Sequence, residues 1–339
     1  MPPTLRGMAS VPLELTGGTG RRYRFTKLLQ ERPEIGHVWT AKSGNDQFVL
    51  KDVPPNILAT FDRRIFPLLC GRASPLLRLP IDRVPDRHTL VYDYLTDDLF
   101  QLVRKGLSMQ HRRKILTACA QAIAELHERD VVHLDIKPDN ILVDLSDDGQ
   151  DTTIKKVQLT DLENAAHLPA GKCVNGMLAG NANWRSPEAH FKGDLSKPAD
   201  IFSFGLVCLF AMTGKIVCGP DADFDKHVAR GALPAMIRLQ RLVSYFGDRE
   251  GLEGLVRHVG DEEVNLQVLE LLWEDREAEY HSYRRFETWE EVRDEGLREV
   301  VLGMLKLDPG RRWTAEQVVG HPWFGGSICP QRRQGKDGT

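Results

Sequence analysis

The sequence has no long hydrophobic run, few cysteines and no excess of either charge. Its longest apolar run, at residues 201–212, is far shorter than the about 20 residues of a membrane-spanning helix. The chain carries 45 basic and 48 acidic residues, for a net charge of −3, which argues against binding of nucleic acid through bulk positive charge. Its six cysteines form no CxxC pair, so we expect reduced, mostly buried thiols of an intracellular protein.

The first twenty residues lack the continuous apolar segment of a signal peptide, and Glu14 argues against a transit peptide. We therefore expect a cytoplasmic or nuclear protein with neither a membrane nor a nucleic acid as a partner. Residues 16–20, Thr-Gly-Gly-Thr-Gly, are reminiscent of a phosphate-binding loop. No strand clearly precedes them and no helix follows, so residues 1–20 are predicted to be a flexible tail. Residues 325–339 are predicted to be a polar tail.

Both strand and helix patterns are present. The chain of 339 residues is 41% hydrophobic, which is enough for a substantial core and fits two lobes. Residues 23–29, 37–41 and 47–51 are predicted to be short strands. Residues 61–69 and 110–130 are predicted to be helices, because their apolar residues recur at helical spacing. The histidines of the second helix, such as His127, are expected on the surface.

Three polar residues lie at short, fixed spacing in residues 131–143, whose sequence is VVHLDIKPDNILV. Asp135 offers a carboxylate that could orient a hydroxyl group, Lys137 an ammonium for phosphate charge, and Asn140 an amide oxygen for a metal ion. The stretch resembles the catalytic loop of protein kinases, with Leu134 where the family pattern has Arg.

Other motifs carry the same resemblance across residues 23–324. Lys51 ends a predicted strand, as the lysine of the V-A-I-K motif does, and Asp161 begins an Asp-Leu-Glu triplet in place of Asp-Phe-Gly. Ser186-Pro187-Glu188 is similar to the Ala-Pro-Glu that ends an activation segment. Asp200 begins a helix that is apolar all round, and the resemblance implies that its carboxylate accepts N–H groups of the catalytic loop. It also implies that Arg312 pairs with Glu188.

The resemblance implies an α+β, bilobal protein-kinase-like fold within residues 21–324. A small β-rich N-lobe would occupy residues 21–92, a hinge 93–97, and a large, mainly α-helical C-lobe 98–324. The C-lobe would be enlarged at residues 219–291, which are long and charged. Together with residues 180–188, this region is similar to a serine/threonine kinase subgroup common in filamentous fungi.

The implied activity is transfer of the γ-phosphoryl group of ATP to Ser or Thr of a protein substrate, with Mg²⁺ as a cofactor. In this scheme Asp135 orients the substrate hydroxyl, Lys137 neutralises the phosphoryl group, and Asn140 and Asp161 bind Mg²⁺. The residues expected to bind ATP are Gly36, Val38, Lys51, Asp93, Leu95 and Asp161.

Four departures from the family pattern support an alternative, a pseudokinase that acts as a nucleotide- or protein-binding scaffold. Gly36 fits the last glycine of G-x-G-x-x-G, but Glu31 and Pro33 occupy the two earlier glycine positions. Arg64 aligns with the helix glutamate that pairs with the strand lysine, so an acid from another segment would have to replace it. Glu163 replaces the glycine of the Asp-Phe-Gly triplet.

A further departure is Leu134, which occupies the position of the family's arginine. The loss of this arginine is consistent with the lack of phosphorylatable residues in the segment that it would contact. No Ser, Thr or Tyr lies between Glu163 and Arg185, so the segment lacks a phosphate for an arginine to bind. We expect a non-RD kinase whose activation segment is held without phosphorylation. A kinase-like small-molecule phosphotransferase is a third possibility, but it has no reason to carry Ser186-Pro187-Glu188.

Overall fold

The computed structural model describes residues 14–32, 36–71, 74–85, 87–147, 152–260 and 262–325. Contacts divide the chain into two units. The first comprises residues 1–72, 78–96 and 161–163, and the second comprises residues 73–77, 97–160 and 164–339. Within the described ranges, no helix is long and apolar enough to cross a membrane.

The first unit is built on a six-stranded antiparallel sheet, with strand order β1-β2-β3-β4-β6-β5. The strands are β1 (Glu14–Thr16), β2 (Arg22–Arg32), β3 (Gly36–Ser43), β4 (Asp46–Asp52), β5 (Asp82–Val84) and β6 (Thr89–Asp93). Alternating residues place one face in a core that includes Tyr23, Phe48 and Leu50. A helical stretch follows β4 as α1 (Pro55–Thr60), a π-helical turn (Phe61–Ile65) and α2 (Phe66–Leu69).

The predicted flexible tail is wrong for residues 14–20, which are ordered. Strand β1 pairs with β2, and the backbone N–H and hydroxyl of Thr19 both donate to Asp82. Gly17 lies against the same carboxylate, because a Cβ at this position would meet Asp82 Oδ2 at 2.0 Å. A short strand of three residues has too little periodicity to be recognised from sequence. Residues 1–13 and 326–339 lie outside the described ranges.

The second unit is mainly helical. Its small sheets contain β7 (Asp97–Asp98), β9 (Ile141–Asp147) and β10 (Thr152–Leu159), and β8 (Val131–Val132) with β11 (Ala166–His167). Its helices are α3 (Leu99–Arg104), α4 (Met109–Glu128), α5 (Pro187–His190), α6 (Lys197–Thr213), α7 (Ala222–Ala229), α8 (Pro234–Phe246), α9 (Arg249–Val259), α10 (Glu263–Glu274), α11 (Glu295–Met304) and α12 (Ala315–Gly320). The β-rich N-terminal and helical C-terminal parts confirm the predicted fold class.

Residues 219–291 form a helical layer with its own apolar core. Leucines of α8, α9 and α10 are buried together with Leu307, so this region is packed into the second unit. Of the cysteines in the described ranges, Cys119, Cys208 and Cys218 are buried whereas Cys70 and Cys173 are exposed.

Candidate functional site

Asp200 of α6 holds the loop between β8 and β9 through two hydrogen bonds. Asp200 accepts the N–H groups of His133 and Leu134, both at 2.8 Å, through its two carboxylate oxygens. Leu134 has a φ of 64°, a conformation that costs a non-glycine residue free energy. These two hydrogen bonds therefore stabilise a turn that the loop would not adopt alone, as the resemblance implied for Asp200.

His127 of α4 also contacts Asp200, which corrects the expectation that it lies on the surface. It is buried, and its Nε2 lies 2.9 Å from Asp200 Oδ2. A buried carboxylate needs such partners. The helical spacing of α4 could not reveal this contact, because the partner is distant in sequence.

His133 fixes the backbone next to Asp135. Its Nε2 lies 2.7 Å from the carbonyl oxygen of Thr160, and its Nδ1 lies 3.2 Å from the backbone N–H of Asp135. Since a carbonyl can only accept, Nε2 carries the proton and Nδ1 accepts from Asp135. The imidazole thus has a structural function.

The carboxylate of Asp135 contacts three donors. Lys137 Nζ lies 2.6 Å from Oδ2, the amide nitrogen of Asn140 lies 3.3 Å from the same oxygen, and the backbone N–H of Asn181 donates to Oδ1 at 3.0 Å. The Asn140 amide also donates to the Asp135 backbone carbonyl at 2.8 Å. The structure therefore brings Asp135, Lys137 and Asn140 together in the second unit, with the carboxylate oriented and its charge balanced.

A cavity of about 400 Å³ opens beside Asp135. Its lining includes Lys137, Met177, Leu178 and Asn181. Met177 and Leu178 are half exposed. The space can admit a polypeptide side chain and its backbone.

The segment before Ser186 is held by apolar packing and by Arg185. Leu134 packs against a cluster that includes Ala179 and Leu195. Arg185 donates to the carbonyl oxygens of Ala179 and Gly180, at 2.7 and 2.6 Å. These contacts fix the backbone of this segment through hydrogen bonds and packing within the chain.

The predicted ion pair between Glu188 and Arg312 is confirmed. Arg312 Nη1 and Nη2 lie 2.6 and 2.7 Å from the two carboxylate oxygens, and both residues are buried. Burial alone would raise the pKa of Glu188, but the charge and hydrogen bonds of Arg312 bring it below its ordinary value.

Lys51 of β4 contacts two carboxylates of the first unit, Asp161 and Glu163. Its Nζ donates to Asp161 Oδ1 and lies 3.2 Å from Glu163 Oε1. Burial would lower the pKa of Lys51, but Glu163 and Asp161 together raise it. The lysine is therefore fully charged at neutral pH and has a fixed direction.

Glu163 and its surroundings were missed by the sequence reasoning, which noted only the lost glycine. Glu163 is 4% exposed, and the hydroxyl of Tyr92 donates to its Oε1 at 2.6 Å. Arg78 lies over the Tyr92 ring at 4.7 Å and donates to the carbonyl of Asp93 at 2.7 Å. A glutamate where the family has glycine was the available signal, but its partners are far apart in sequence.

The helical stretch after β4 supplies no acid to Lys51 among its described residues. Arg64 is exposed on the π-helical turn. Asp62, the nearest carboxylate in sequence, pairs with Arg83 instead. The helix glutamate of the family thus has no equivalent here, and the acid comes from the Asp161–Glu163 segment.

The other predicted ATP-binding residues belong to the first unit, and Gly36, Val38 and Asp93 lie on its sheet. Val38 is opposite Lys51 in the register of β3 and β4, so the two side chains share a face. Gly36 has a φ of 119°, and a Cβ there would lie 2.6 Å from Asp52 Cβ, so the backbone itself requires glycine. Asp93 ends β6, and Leu95 is buried. Pro33 lies outside the described residues.

The two predicted metal ligands carry the hard oxygen donors that Mg²⁺ prefers. Asp161 of the first unit offers a carboxylate, and Asn140 of the second unit offers an amide oxygen. Within the described part of the chain, no group of three or more His, Cys, Asp or Glu could hold a metal ion. Mg²⁺ typically takes one or two protein ligands and completes its shell with water and phosphate oxygens.

Comparison with known proteins gives one family. The sequence model of the protein kinase domain matches residues 81–324. A probable LRR receptor-like serine/threonine-protein kinase of Arabidopsis thaliana is 33% identical over 37% of this chain and 12% of its own length. A calcium/calmodulin-dependent protein kinase of Emericella nidulans is 24% identical over 68% of this chain and 45% of its own length.

A third relative is the phosphorylase b kinase gamma catalytic chain, liver/testis isoform, of Mus musculus. It is 25% identical over 69% of this chain and 44% of its own length. The chain thus spans less than half the length of these curated relatives.

Proposed function

The chain belongs to the protein kinase family, and from that premise we propose that it is an active kinase that phosphorylates Ser or Thr of a protein substrate. The contact of Lys137 with Asp135 carries this proposal. A carboxylate held by three donors, next to a cavity that admits a side chain, is suited to orient a hydroxyl group. Lys137 two residues after Asp135 is typical of the Ser/Thr group of the family.

Each proposed residue role follows from its chemistry. Asp135 orients the substrate hydroxyl and accepts its proton, and Lys137 neutralises the charge on the transferring group. Lys51 contacts ATP phosphates. Asp161 in the first unit and Asn140 in the second are the proposed Mg²⁺ ligands. When bound, Mg²⁺ neutralises phosphate charge and orients the phosphates.

The proposed adenosine-binding residues are Gly36, Val38, Asp93 and Leu95. The carbonyl of Asp93 accepts a hydrogen bond from Arg78, which fixes the backbone at the end of β6. The motif of residues 180–188 and the helical region at 219–291 are the basis for proposing the fungal subgroup. The cell compartment that we propose is the cytoplasm or nucleus.

The test compares wild type with Asp135→Asn, using labelled ATP, Mg²⁺ and a generic protein substrate. We expect the variant to lose phosphoryl transfer by about 10²- to 10⁴-fold and to retain its melting temperature. Asp139→Asn is the matched control, because Asp139 is an exposed carboxylate on the same loop. Full activity of Asp135→Asn would contradict the assignment.

A pseudokinase is the second candidate, favoured by the exposed Arg64 and by the engagement of Asp62 with Arg83. A thermal-shift assay with ATP and Mg²⁺, combined with the transfer assay, separates the two functions. An active kinase melts at a higher temperature with the nucleotide and also transfers phosphate. A protein that shows the shift without transfer acts as a nucleotide-binding scaffold, and one that shows neither acts as a scaffold that does not bind nucleotide.

A further inference from the structure

The acid that faces Lys51 comes from an unexpected segment. The helical stretch after β4 presents an exposed Arg64, and its Asp62 is paired with Arg83. Glu163 lies 3.2 Å from Lys51 Nζ and belongs to the same unit. Its side chain is 2% exposed, against 24% for that of Lys51, so the ion pair is well shielded from water.

Glu163 is rigidly held. It lies in a 3-10 turn, Leu162–Asn164, and Leu162 beside it is 1% exposed. The hydroxyl of the buried Tyr92 donates to Glu163 Oε1 at 2.6 Å. The guanidinium of Arg78, over the Tyr92 ring at 4.7 Å, limits movement of that ring in turn.

The charges of this group are balanced. Lys51 contacts two carboxylates, Asp161 and Glu163, and the buried Arg78, over the Tyr92 ring, adds a second cation. Buried charges are tolerated only when they are paired and hydrogen-bonded. Loss of the Glu163 charge alone would leave an excess positive charge and would weaken the hold on Lys51.

Two acids near one lysine allow a division of tasks. Asp161 is the proposed Mg²⁺ ligand, and a cation bound there competes with Lys51 for the same carboxylate. Glu163 is hydrogen-bonded to Tyr92, so it remains beside Lys51 when Asp161 is occupied. An acid of this kind is needed if the ammonium is to keep its direction toward a phosphate.

We propose that Glu163, anchored by Tyr92, is the positioning residue for Lys51 and replaces the carboxylate that the helical stretch does not provide. This inference rests on the proposed function. It means that Lys51 is oriented by a residue two positions after Asp161, so that a movement of the helical stretch does not switch this ion pair on or off.

The test uses Glu163→Gln, which keeps the hydrogen bond from Tyr92 and removes the charge. The first measurement is acylation of Lys51 by an amine-reactive ester, followed by mass spectrometry across pH. An opposite charge at this distance changes a pKa by about one unit or more, so Lys51 of the variant should be labelled about tenfold faster near neutral pH. The second measurement is steady-state kinetics, in which the KM for ATP should rise about tenfold with a smaller change in kcat.

Three further variants test the charge of Glu163, its anchoring by Tyr92 and the contribution of Asp62 separately. Glu163→Asp keeps the charge, so slow labelling should be retained. Tyr92→Phe removes the anchoring hydroxyl and should raise the KM for ATP while Lys51 labelling stays slow. Asp62→Asn, a neutralised carboxylate on the helical stretch, should change neither value. Melting temperatures show that each variant is folded, and the KM of Tyr92→Phe becomes the deciding measurement if Glu163→Gln does not fold.

Each outcome separates the two proposals. Labelling of Glu163→Gln at the wild-type rate, or an increase caused by Asp62→Asn, would overturn the positioning role. If wild type transfers no phosphate but Glu163→Gln is labelled faster, the positioning role is supported and the proposed activity fails. An unchanged KM in Glu163→Gln of an active enzyme would overturn the inference without affecting the activity.

Discussion

The backbone N–H of Asn181 donates to Oδ1 of Asp135 at 3.0 Å. This hydrogen bond joins the segment before Ser186 to the proposed catalytic carboxylate. Gly180, the residue before Asn181, has a φ of 72°, and a Cβ on it would lie 2.9 Å from the Leu134 carbonyl oxygen. The close approach of two backbones therefore determines how Asp135 is oriented.

Gly180→Ala should reduce kcat/KM by about a hundredfold, because displacement of a positioning group by about 1 Å can cost that much. Both the left-handed conformation and the contact with Leu134 oppose the added methyl group. Steady-state kinetics and melting temperature are the measurements. Gly176→Ala is the control, since Gly176 has the same φ of 72° with nothing within 4 Å of a Cβ. Equal losses in both variants would mean that backbone strain alone is responsible.

Activity should be independent of phosphorylation of the activation segment. No Ser, Thr or Tyr lies between Glu163 and Arg185, and Leu134 packs against apolar neighbours instead of binding a phosphate. Treatment with a protein phosphatase should leave the rate of phosphoryl transfer unchanged. Mass spectrometry verifies removal of phosphate from other sites. A treated enzyme that loses its activity would show that a phosphate elsewhere controls it.

Glu188→Gln should destabilise the protein by about 3–5 kcal/mol at pH 7, because it leaves Arg312 charged and unpaired in the interior. The pKa of Glu188 is lowered from its ordinary 4.5, so the folded state favours the ionised form. The stability from this pair is complete above about pH 4.5 and is lost as the pH falls through the folded pKa. The unfolding free energies of wild type and variant, measured with urea at several pH values, should become equal only at acidic pH. A constant difference would contradict the ion-pair explanation.

Motifs whose residues lie at short, fixed spacing along the chain could be predicted from the sequence. Residues 131–143 combine apolar strand residues with Asp135, Lys137 and Asn140, so the loop and its polar group were recognisable together. The contact of Arg312 with Glu188 was implied by two motifs of the same family. Such predictions succeed because neighbouring residues along the chain carry both the local structure and the chemistry.

The rest could not be predicted, because it depends on contacts between distant residues. Tyr92 and Glu163 belong to separate segments, and neither has a local pattern that points to the other. In the sequence, a glutamate in place of glycine indicates only that a flexible residue is missing. Its hydrogen bond with Tyr92 is visible only in the structure. The buried His127 likewise needs Asp200, which lies on another helix.

The ordered N-terminal strand provides the last prediction. Asp82 Oδ1 accepts from the backbone N–H groups of Thr19 and Arg83, and Oδ2 accepts from the hydroxyls of Thr19 and Tyr23. Asp82→Asn removes the charge that strengthens these four hydrogen bonds, and the two hydroxyls would have to turn from donating to accepting from the new NH₂ group. Since Tyr23 is buried, the loss should be about 1–3 kcal/mol of unfolding free energy.

Tryptic cleavage at the exposed Arg21 and Arg22 should accompany this loss, because Asp82 fixes the turn that precedes β2. The rate of cleavage should rise in Asp82→Asn, and urea unfolding gives the free energy. Tyr23→Phe removes one donor while Thr19 still binds Asp82, so its effect on both measurements should be smaller. If Asp82→Asn is cleaved at the wild-type rate, Asp82 does not hold this turn, and pairing of β1 with β2 alone keeps residues 14–20 ordered.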